Sequence, residues 1–167
     1  MARWSFDLGW SMGWCEVRRS GELASGVERL AYQQPDDGLR LVAATEFFGV
    51  QLKRLEAAGE TLEAIDYEEI NFVGDDNGIR AMHCHGMQLG ALLRWAAFRR
   101  QPRPTPRAWN TVKKHVTGHG SASQQLVLER VRRLYPHVTD HNEASAVAVM
   151  LTALHLDGLD DRGEGGR

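Results

Sequence analysis

The order of strand-like and helix-like segments constrains the fold of this chain more than any other feature of its sequence. Residues 4–17 predict two strands joined by a tight turn, because the first ends at Asp7 and apolar alternation resumes at Gly13. A third strand is predicted between Ser20 and Leu30. The later segments are a helix over 36–59, a strand over 64–70, a helix over 79–98, a strand near Ala108, a helix from Ser121 or Ser123 to Tyr135, and a helix over 140–155. This order predicts an α/β fold with a mixed five-stranded sheet flanked by helices, antiparallel at its start and parallel thereafter.

Two of the predicted helices carry apolar side chains at three-to-four spacing, which we expect to face the sheet. They are Leu39, Val42, Ala43, Phe47, Val50 and Leu55 in the first helix, and Ile79, Met82, Leu89, Leu92 and Trp95 in the second. The second helix also contains Gly86 and Gly90, each of which weakens a helix by about 1 kcal/mol relative to alanine. Such small residues allow close packing, either against the sheet or against a second copy of the chain.

Charge is distributed unevenly along the chain, although the formal net charge is only -2. Residues 36–76 contain eleven acidic and three basic side chains, whereas residues 94–133 contain ten basic side chains and one acidic one. A basic block of this kind favours a polyanion such as nucleic acid, because each neutralised phosphate releases counterions. A solvated surface balanced by the acidic half is the alternative. The candidate phosphate contacts are Arg103, Arg107, Lys113, Lys114 and His115.

Composition excludes several other classes of protein. No apolar stretch approaches the roughly 20 residues that span a bilayer, and the first residues are too polar for a signal peptide. We therefore expect a cytoplasmic protein with no membrane partner. Cys15 and Cys84 form no CxxC pair and are expected to be free, buried thiols. One domain is predicted over residues 1–156, followed by a disordered Gly- and Asp-rich tail over 157–167.

Acidic residues fall at three remote places that the predicted fold brings to one edge of the sheet. Asp7 ends the first strand, Glu68 and Glu69 end the strand after the first helix, and Asp140 and Glu143 open the last helix. Mg²⁺ prefers oxygen ligands and usually takes one or two carboxylates at once. Two such ions activate a water and stabilise the leaving oxygen in phosphodiester hydrolysis. The set therefore predicts metal-dependent phosphodiester chemistry.

Each acid also has an ordinary structural interpretation. Asp7 is a plausible turn former, one of the two glutamates is expected to face solvent, and Asp140 is a suitable helix cap. The aromatic residues Trp10, Trp14 and Phe72 are similarly either core residues or platforms for an unpaired base. These structural interpretations explain each acid separately, but they do not require the acids to occur together as an ordered set.

Four motifs, taken in order, resemble those of the RuvC-type Holliday junction resolvases, in particular the compact versions seen in phages and prophages. They are Ser5-Phe6-Asp7-Leu8-Gly9-Trp10-Ser11-Met12-Gly13-Trp14, Tyr67-Glu68-Glu69, Val112-Lys113-Lys114-His115-Val116-Thr117-Gly118-His119-Gly120-Ser121-Ala122, and Asp140-His141-Asn142-Glu143-Ala144-Ser145-Ala146. The resemblance covers roughly residues 3–156. The first motif alone is shared across ribonuclease H-like and actin-like folds, whereas all four in order are more specific.

The resemblance implies a ribonuclease H-like fold, a homodimer, and Mg²⁺-dependent symmetric nicking of four-way DNA junctions, with Mn²⁺ as a possible substitute. By motif position, Asp7 and Glu68 would be metal ligands, and Lys113 would contact the scissile phosphate or stabilise its developing charge. Asp140 and Glu143 are the remaining candidates for the catalytic and metal-binding set. The helix over 78–98, with its small residues, is the candidate dimer face.

The chain departs from the family pattern at the last helix, where Ser145 replaces an acid. Serine brings no charge and is a poor Mg²⁺ ligand, so either Asp140 and Glu143 supply the missing carboxylate or metal binding is weakened. Gln124 also stands where many relatives place a lysine. Three functions are therefore kept: a junction endonuclease, a weakened relative that binds branched DNA or a partner protein without efficient cleavage, and a nuclease acting on RNA–DNA hybrids.

Overall fold

A computed structural model describes residues 2–30, 36–70 and 76–159 of the chain. The strands are β1 (Ala2–Asp7), β2 (Met12–Val17), β3 (Leu23–Glu28), β4 (Leu62–Glu69) and β5 (Thr105–Ala108). The helices are α1 (Asp37–Ala57), α2 (Asp76–Phe98), α3 (Trp109–Thr117), α4 (Gln124–Leu134) and α5 (His141–Leu156). The predicted order is confirmed, with one further helix, α3, between β5 and α4.

The five strands form one mixed sheet in the order β3-β2-β1-β4-β5. The pairs β1–β2 and β2–β3 are antiparallel, whereas β1–β4 and β4–β5 are parallel. Alternation along β1 separates its side chains between two faces. Trp4 and Phe6 point to the face covered by α1 and α2, where the Trp4 ring stacks 5.8 Å from Trp95 and the Phe6 ring lies 5.3 Å from Phe48.

The opposite face of the sheet is covered by α5, which α3 and α4 cover in turn. Every residue of α5 from Glu143 to Ala153 is buried, because the helix lies between the sheet and the outer pair. The Ser5 side chain on β1 donates a hydrogen bond to the Ala146 carbonyl at 2.7 Å and so ties α5 to the middle of the sheet. This contact fixes how far α5 extends along β1.

The predicted inward faces of α1 and α2 need correction. In α1 the buried positions are Ala44, Phe48, Leu52 and Leu55, whereas Leu39, Val42 and Val50 are about half exposed. In α2, Leu92 and Trp95 are buried as predicted, but Ile79 is exposed. The helices carry more apolar side chains than one face can hold. Some of the surplus, such as Val42, lines a groove of about 880 Å³ between α1 and α2.

A buried cluster of ion pairs lies on the α5 face of the sheet. The Asp66 carboxylate on β4 pairs with Arg107 Nε at 2.7 Å and with Arg3 Nε at 3.2 Å. Both arginines also pair with Asp157, which the sequence had placed in the tail. Asp157 therefore closes the C-terminal end of α5 onto β1 and β5.

Other sequence predictions fall partly outside the described residues. The loop predicted over 74–78 begins outside them at 74–75, and α2 already begins at Asp76. The predicted tail beyond Leu159 also lies outside them. Cys15 and Cys84 are free and buried, as predicted. Within the described part of the chain, no helix has both the length and the apolar character needed to cross a bilayer.

Candidate active site

Parallel pairing of β1 with β4 brings Asp7 and Glu68 together. Phe6 pairs with Tyr67, so the next residue on each strand lies at the carboxyl end of the sheet and on its α5 face. Glu68 is 6% exposed and Asp7 is half-buried. The two carboxylates predicted to share a site are therefore neighbours on one face.

Burial and mutual repulsion disfavour the charged forms of these two acids. Burial raises the pKa of Asp7 to about 7, a hydrogen bond from the Ser145 side chain lowers it, and the charge of Asp140 raises it. Burial also raises the pKa of Glu68 well above its usual value, the Asp7 charge raises it further, and Lys113 lowers it. Two carboxylates with raised pKa values at one point are typical of a functional site.

Gly13 allows the first turn of α5 to approach this site. It pairs with Asp7 in the β1–β2 hairpin, and a Cβ atom added there would lie 1.9 Å from the Asn142 carbonyl oxygen. The Asp140 carboxylate caps α5, because Oδ1 accepts from the backbone N–H of Asn142 at 2.7 Å and of Glu143 at 3.4 Å. A glycine within a strand is a known sign of close backbone approach, so the sequence contained this signal.

Ser145 lies beside Asp7, where its side chain stabilises the ionised carboxyl by a hydrogen bond. Ser145 is 2% exposed. Ser145, the residue that departs from the family pattern, therefore contacts Asp7 directly, and it does so without adding a negative charge. Sequence reasoning treated Ser145 only as a missing ligand and did not anticipate this contact.

Glu143 is held at a different place from Asp7 and Glu68. Its Oε1 accepts a hydrogen bond from Ser25 Oγ on β3 at 2.8 Å, and His137 Nε2 lies 3.4 Å from the same hydroxyl. The Glu143 charge contributes to raising the pKa of the buried Cys15 thiol, after the larger effect of burial. Of the two acids that open the last helix, Asp140 is the one whose charge acts on Asp7.

The predicted cationic residues are placed in three different environments. Lys113 on α3 lies with Nζ 5.5 Å from the centroid of the Trp109 ring, and its charge acts on Glu68. Lys114 and Arg103 are exposed. Two other candidates are engaged elsewhere: Arg107 pairs with Asp66 and Asp157, and His115 stacks on His155 at 4.6 Å near the far end of α5.

Two buried residues of α2 hold the chain immediately after Asp7, and sequence reasoning did not single them out. His85 Nδ1 donates to the Leu8 carbonyl at 3.2 Å, and Gln88 Nε2 donates to the Gly9 carbonyl. Burial lowers the pKa of His85, which favours its neutral form. Their spacing with Leu92 and Trp95 places all four on one helix face. Polar residues on such a face were the available signal.

The donors at this site suit a divalent cation. Glu68 Oε2 is buried and has no hydrogen-bond partner among the described residues. Oxygen ligands from one or two carboxylates are what Mg²⁺ usually takes, with water in the remaining positions. Across residues 2–30, 36–70 and 76–159, no group of three or more His, Cys, Asp or Glu side chains is arranged to hold one ion. A metal site here would therefore depend on the pair formed by Asp7 and Glu68.

The mixed sheet, with its acids at the ends of two central strands and a buried helix across them, has the ribonuclease H-like fold. Two similar solved structures are those of RuvC from Thermus thermophilus. One is in complex with a Holliday junction substrate, with 24% identity, a TM-score of 0.70, and coverage of 95% of this chain and 97% of that one. The other has 23% identity, a TM-score of 0.67, and coverage of 95% and 98%.

A third similar structure is the yeast mitochondrial Holliday junction resolvase Ydc2, with 12% identity, a TM-score of 0.59, and coverage of 94% of this chain and 80% of that one. No protein-family model and no curated protein matches the chain. At these identities the likeness establishes the fold. The fold predicted from the four sequence motifs is thereby confirmed.

Proposed function

We propose that the protein is a divalent-metal-dependent endonuclease that cuts branched DNA, with four-way junctions as its substrate. One observation carries the proposal: Asp7 and Glu68 are neighbouring carboxylates with raised pKa values, and one Glu68 oxygen lacks a partner among the described residues. The fold supports it, because two of the similar structures are described as Holliday junction resolvases or their junction complexes.

Asp7 and Glu68 would hold Mg²⁺, or Mn²⁺ in its place. The bound ion would supply an activated water and positive charge for phosphodiester hydrolysis. Asp140 stays a candidate ligand because its charge acts on Asp7, although Oδ1 is committed to the helix cap. Glu143 ranks after Asp140 as a candidate ligand, because its carboxylate already accepts a hydrogen bond from Ser25. Lys113 would bind the phosphate beside Glu68.

Contacts to the DNA backbone are proposed for Lys113, Lys114 and Arg103. Lys113 is half-buried and its charge acts on Glu68, whereas Lys114 and Arg103 are exposed. Arg107 and His115 were predicted with them. The ion pairs of Arg107 and the stacking of His115 favour a structural part for both, and we leave them out of the proposed contact set.

A homodimer is proposed through the face formed by α1 and α2. A Cβ atom added to Gly86 or Gly90 would meet nothing within 4 Å, so neither glycine packs against the sheet. Phe98 on the same helix is 86% exposed. These features favour close approach of a second copy. Gly90→Arg should convert a dimer to a monomer in light scattering, and an unchanged mass would contradict this interface.

The decisive experiment is a nicking assay on a synthetic four-way junction, with Mg²⁺ and with Mn²⁺. The wild-type protein should cut the junction in preference to linear duplex and to an RNA–DNA hybrid. Asp7→Asn and Glu68→Gln should abolish cutting while junction binding remains. Glu69→Gln is the matched control, because it changes the adjacent residue of β4, on the other face, and should still cut. Cutting by Asp7→Asn would overturn the assignment, and preference for the hybrid would replace the substrate.

A second candidate is a protein that binds branched DNA without cutting it efficiently. It is favoured by Ser145, which provides a neutral side chain next to Asp7, and by the lack of a three-ligand cluster in the described residues. Binding without cleavage in either metal would support it. Ser145→Asp would then be expected to raise metal affinity and cutting together.

A further inference from the structure

The loop between β1 and β2 carries a tryptophan shortly after Asp7, which ends β1. Trp10 follows Asp7 by three residues, so their Cα atoms lie within about 11 Å of each other. Trp10 is 39% exposed. Of the other aromatic residues considered for stacking, Trp14 is half-buried against Phe47, and Phe72 lies outside the described residues.

The backbone that carries Trp10 is held by buried donors on α2. His85 and Gln88 donate to the carbonyls of Leu8 and Gly9, the two residues immediately before Trp10. The Leu8 side chain is itself 1% exposed, so the loop is also anchored in the core. A loop fixed in this way loses little conformational entropy when it binds a ligand.

The Trp10 ring is also held from one side. The Arg40 guanidinium lies over the ring at 4.1 Å from its centroid, and Asp37 fixes that guanidinium through a 2.9 Å ion pair. A cation over one ring face orients the indole without enclosing it. Trp10 is therefore an oriented, partly exposed aromatic side chain three residues after Asp7.

We propose that Trp10 is a base-stacking residue, which takes an unpaired nucleobase next to the phosphate bound at Asp7 and Glu68. This inference rests on the proposed function, because it assigns a contact within the same DNA complex. Every base offers a flat aromatic face, so the contact selects unpaired over paired bases rather than one sequence. His85, Gln88 and Arg40 act as positioning residues for it.

The test measures junction binding and base stacking in the full chain without divalent metal, where no cutting is expected. The DNA is a four-way junction with 2-aminopurine at the crossover, whose fluorescence falls when an aromatic ring stacks on it. Trp10→Leu keeps an apolar side chain but removes the aromatic face, and Trp10→Phe restores one. Leu156→Ala is the control, because Leu156 is an exposed apolar residue at the opposite end of α5.

Trp10→Leu should bind the junction about 5- to 100-fold more weakly and lose the protein-induced quenching, whereas Trp10→Phe and Leu156→Ala should retain both. Binding to fully paired duplex should be unchanged in all three variants. Equal junction affinity and equal quenching in wild type and Trp10→Leu would overturn the assignment of Trp10. Failure of the wild type to bind any junction would instead overturn the proposed function, and the inference with it.

Discussion

Asp7→Asn should stabilise the folded protein at neutral and alkaline pH while it removes the proposed activity. The pKa of Asp7 is raised from 3.8 to about 7 in the fold, so the folded state binds the proton more tightly than the unfolded state does. Stability therefore falls as pH rises from about 4 to about 7 and is constant above. Asparagine keeps the shape and an acceptor for Ser145 but never carries the charge.

The magnitude follows from the size of that shift. At about 1.4 kcal/mol per pKa unit, the wild-type carboxylate costs about 4 kcal/mol at pH 8 and about 2 kcal/mol at pH 5. Asp7 is half-buried, so water screens part of this charge. We therefore expect Asp7→Asn to gain between about 2 and about 4 kcal/mol at pH 8, and less at pH 5.

Urea denaturation at pH 5 and pH 8, without metal, measures this difference. Mg²⁺ should then stabilise the wild type, by about 2.7 kcal/mol at a concentration 100-fold above its dissociation constant, and should leave Asp7→Asn unchanged. Glu69→Gln provides the reference for a nearby substitution. A destabilised Asp7→Asn at pH 8, or equal Mg²⁺ stabilisation of both proteins, would refute the reasoning.

Three further substitutions test the surrounding structure. Gly13→Ala should cost about 3 kcal/mol or more in denaturation, since its Cβ would lie 1.9 Å from a carbonyl oxygen of α5, whereas Gly49→Ala, with open space in α1, should stabilise by up to about 1 kcal/mol. Lys113→Gln should weaken junction binding and reduce the salt dependence by about one phosphate contact, as measured by titration at several salt concentrations, and Lys53→Gln on the opposite face should not. Asp66→Asn should destabilise by about 3 to 5 kcal/mol in urea, because the buried Arg3 and the half-buried Arg107 lose their shared carboxylate, and an unchanged midpoint would contradict the structural part given to that cluster.

The sheet was predictable from the sequence because its determinants are local. Alternation over 4–17, the turn after Asp7 and the β-α order each lie within a short window. The inward face of α1 could not be predicted from the sequence, because two apolar stripes overlap on that helix. Periodicity shows that Val42 and Phe48 each lie in a stripe, but which stripe meets the sheet depends on the packing of α2.

Some contacts of the candidate site could likewise be predicted from the sequence, and others could not. The sequence alone predicted that Asp7 and Glu68 lie close together, because the carboxyl ends of parallel strands meet at one edge of a sheet. The hydrogen bonds of His85 and Gln88 to the Leu8 and Gly9 carbonyls span 77 and 79 residues, so their place on an apolar helix face indicates buried polar contacts but not which carbonyls accept them. Ser145 and Asp7 are still farther apart in the sequence, and their contact depends on the position of α5 along the sheet.

The α5 face of the sheet contains two groups of buried or half-buried carboxylates, and their surroundings differ. Burial raises the pKa of Asp66 too, but two guanidiniums within 3.2 Å act to lower it, so the chain itself supplies positive charge to this buried carboxylate. Asp7 is influenced by a third acid, Asp140, as well as lying next to Glu68, and the cation that acts on Glu68 is the half-exposed Lys113. A pair that the protein leaves short of positive charge can be neutralised by protons or by a cation from solution, and its pKa values already favour the proton. The uncompensated negative charge of Asp7 and Glu68 destabilises the fold at pH 8, and the same charge would bind Mg²⁺.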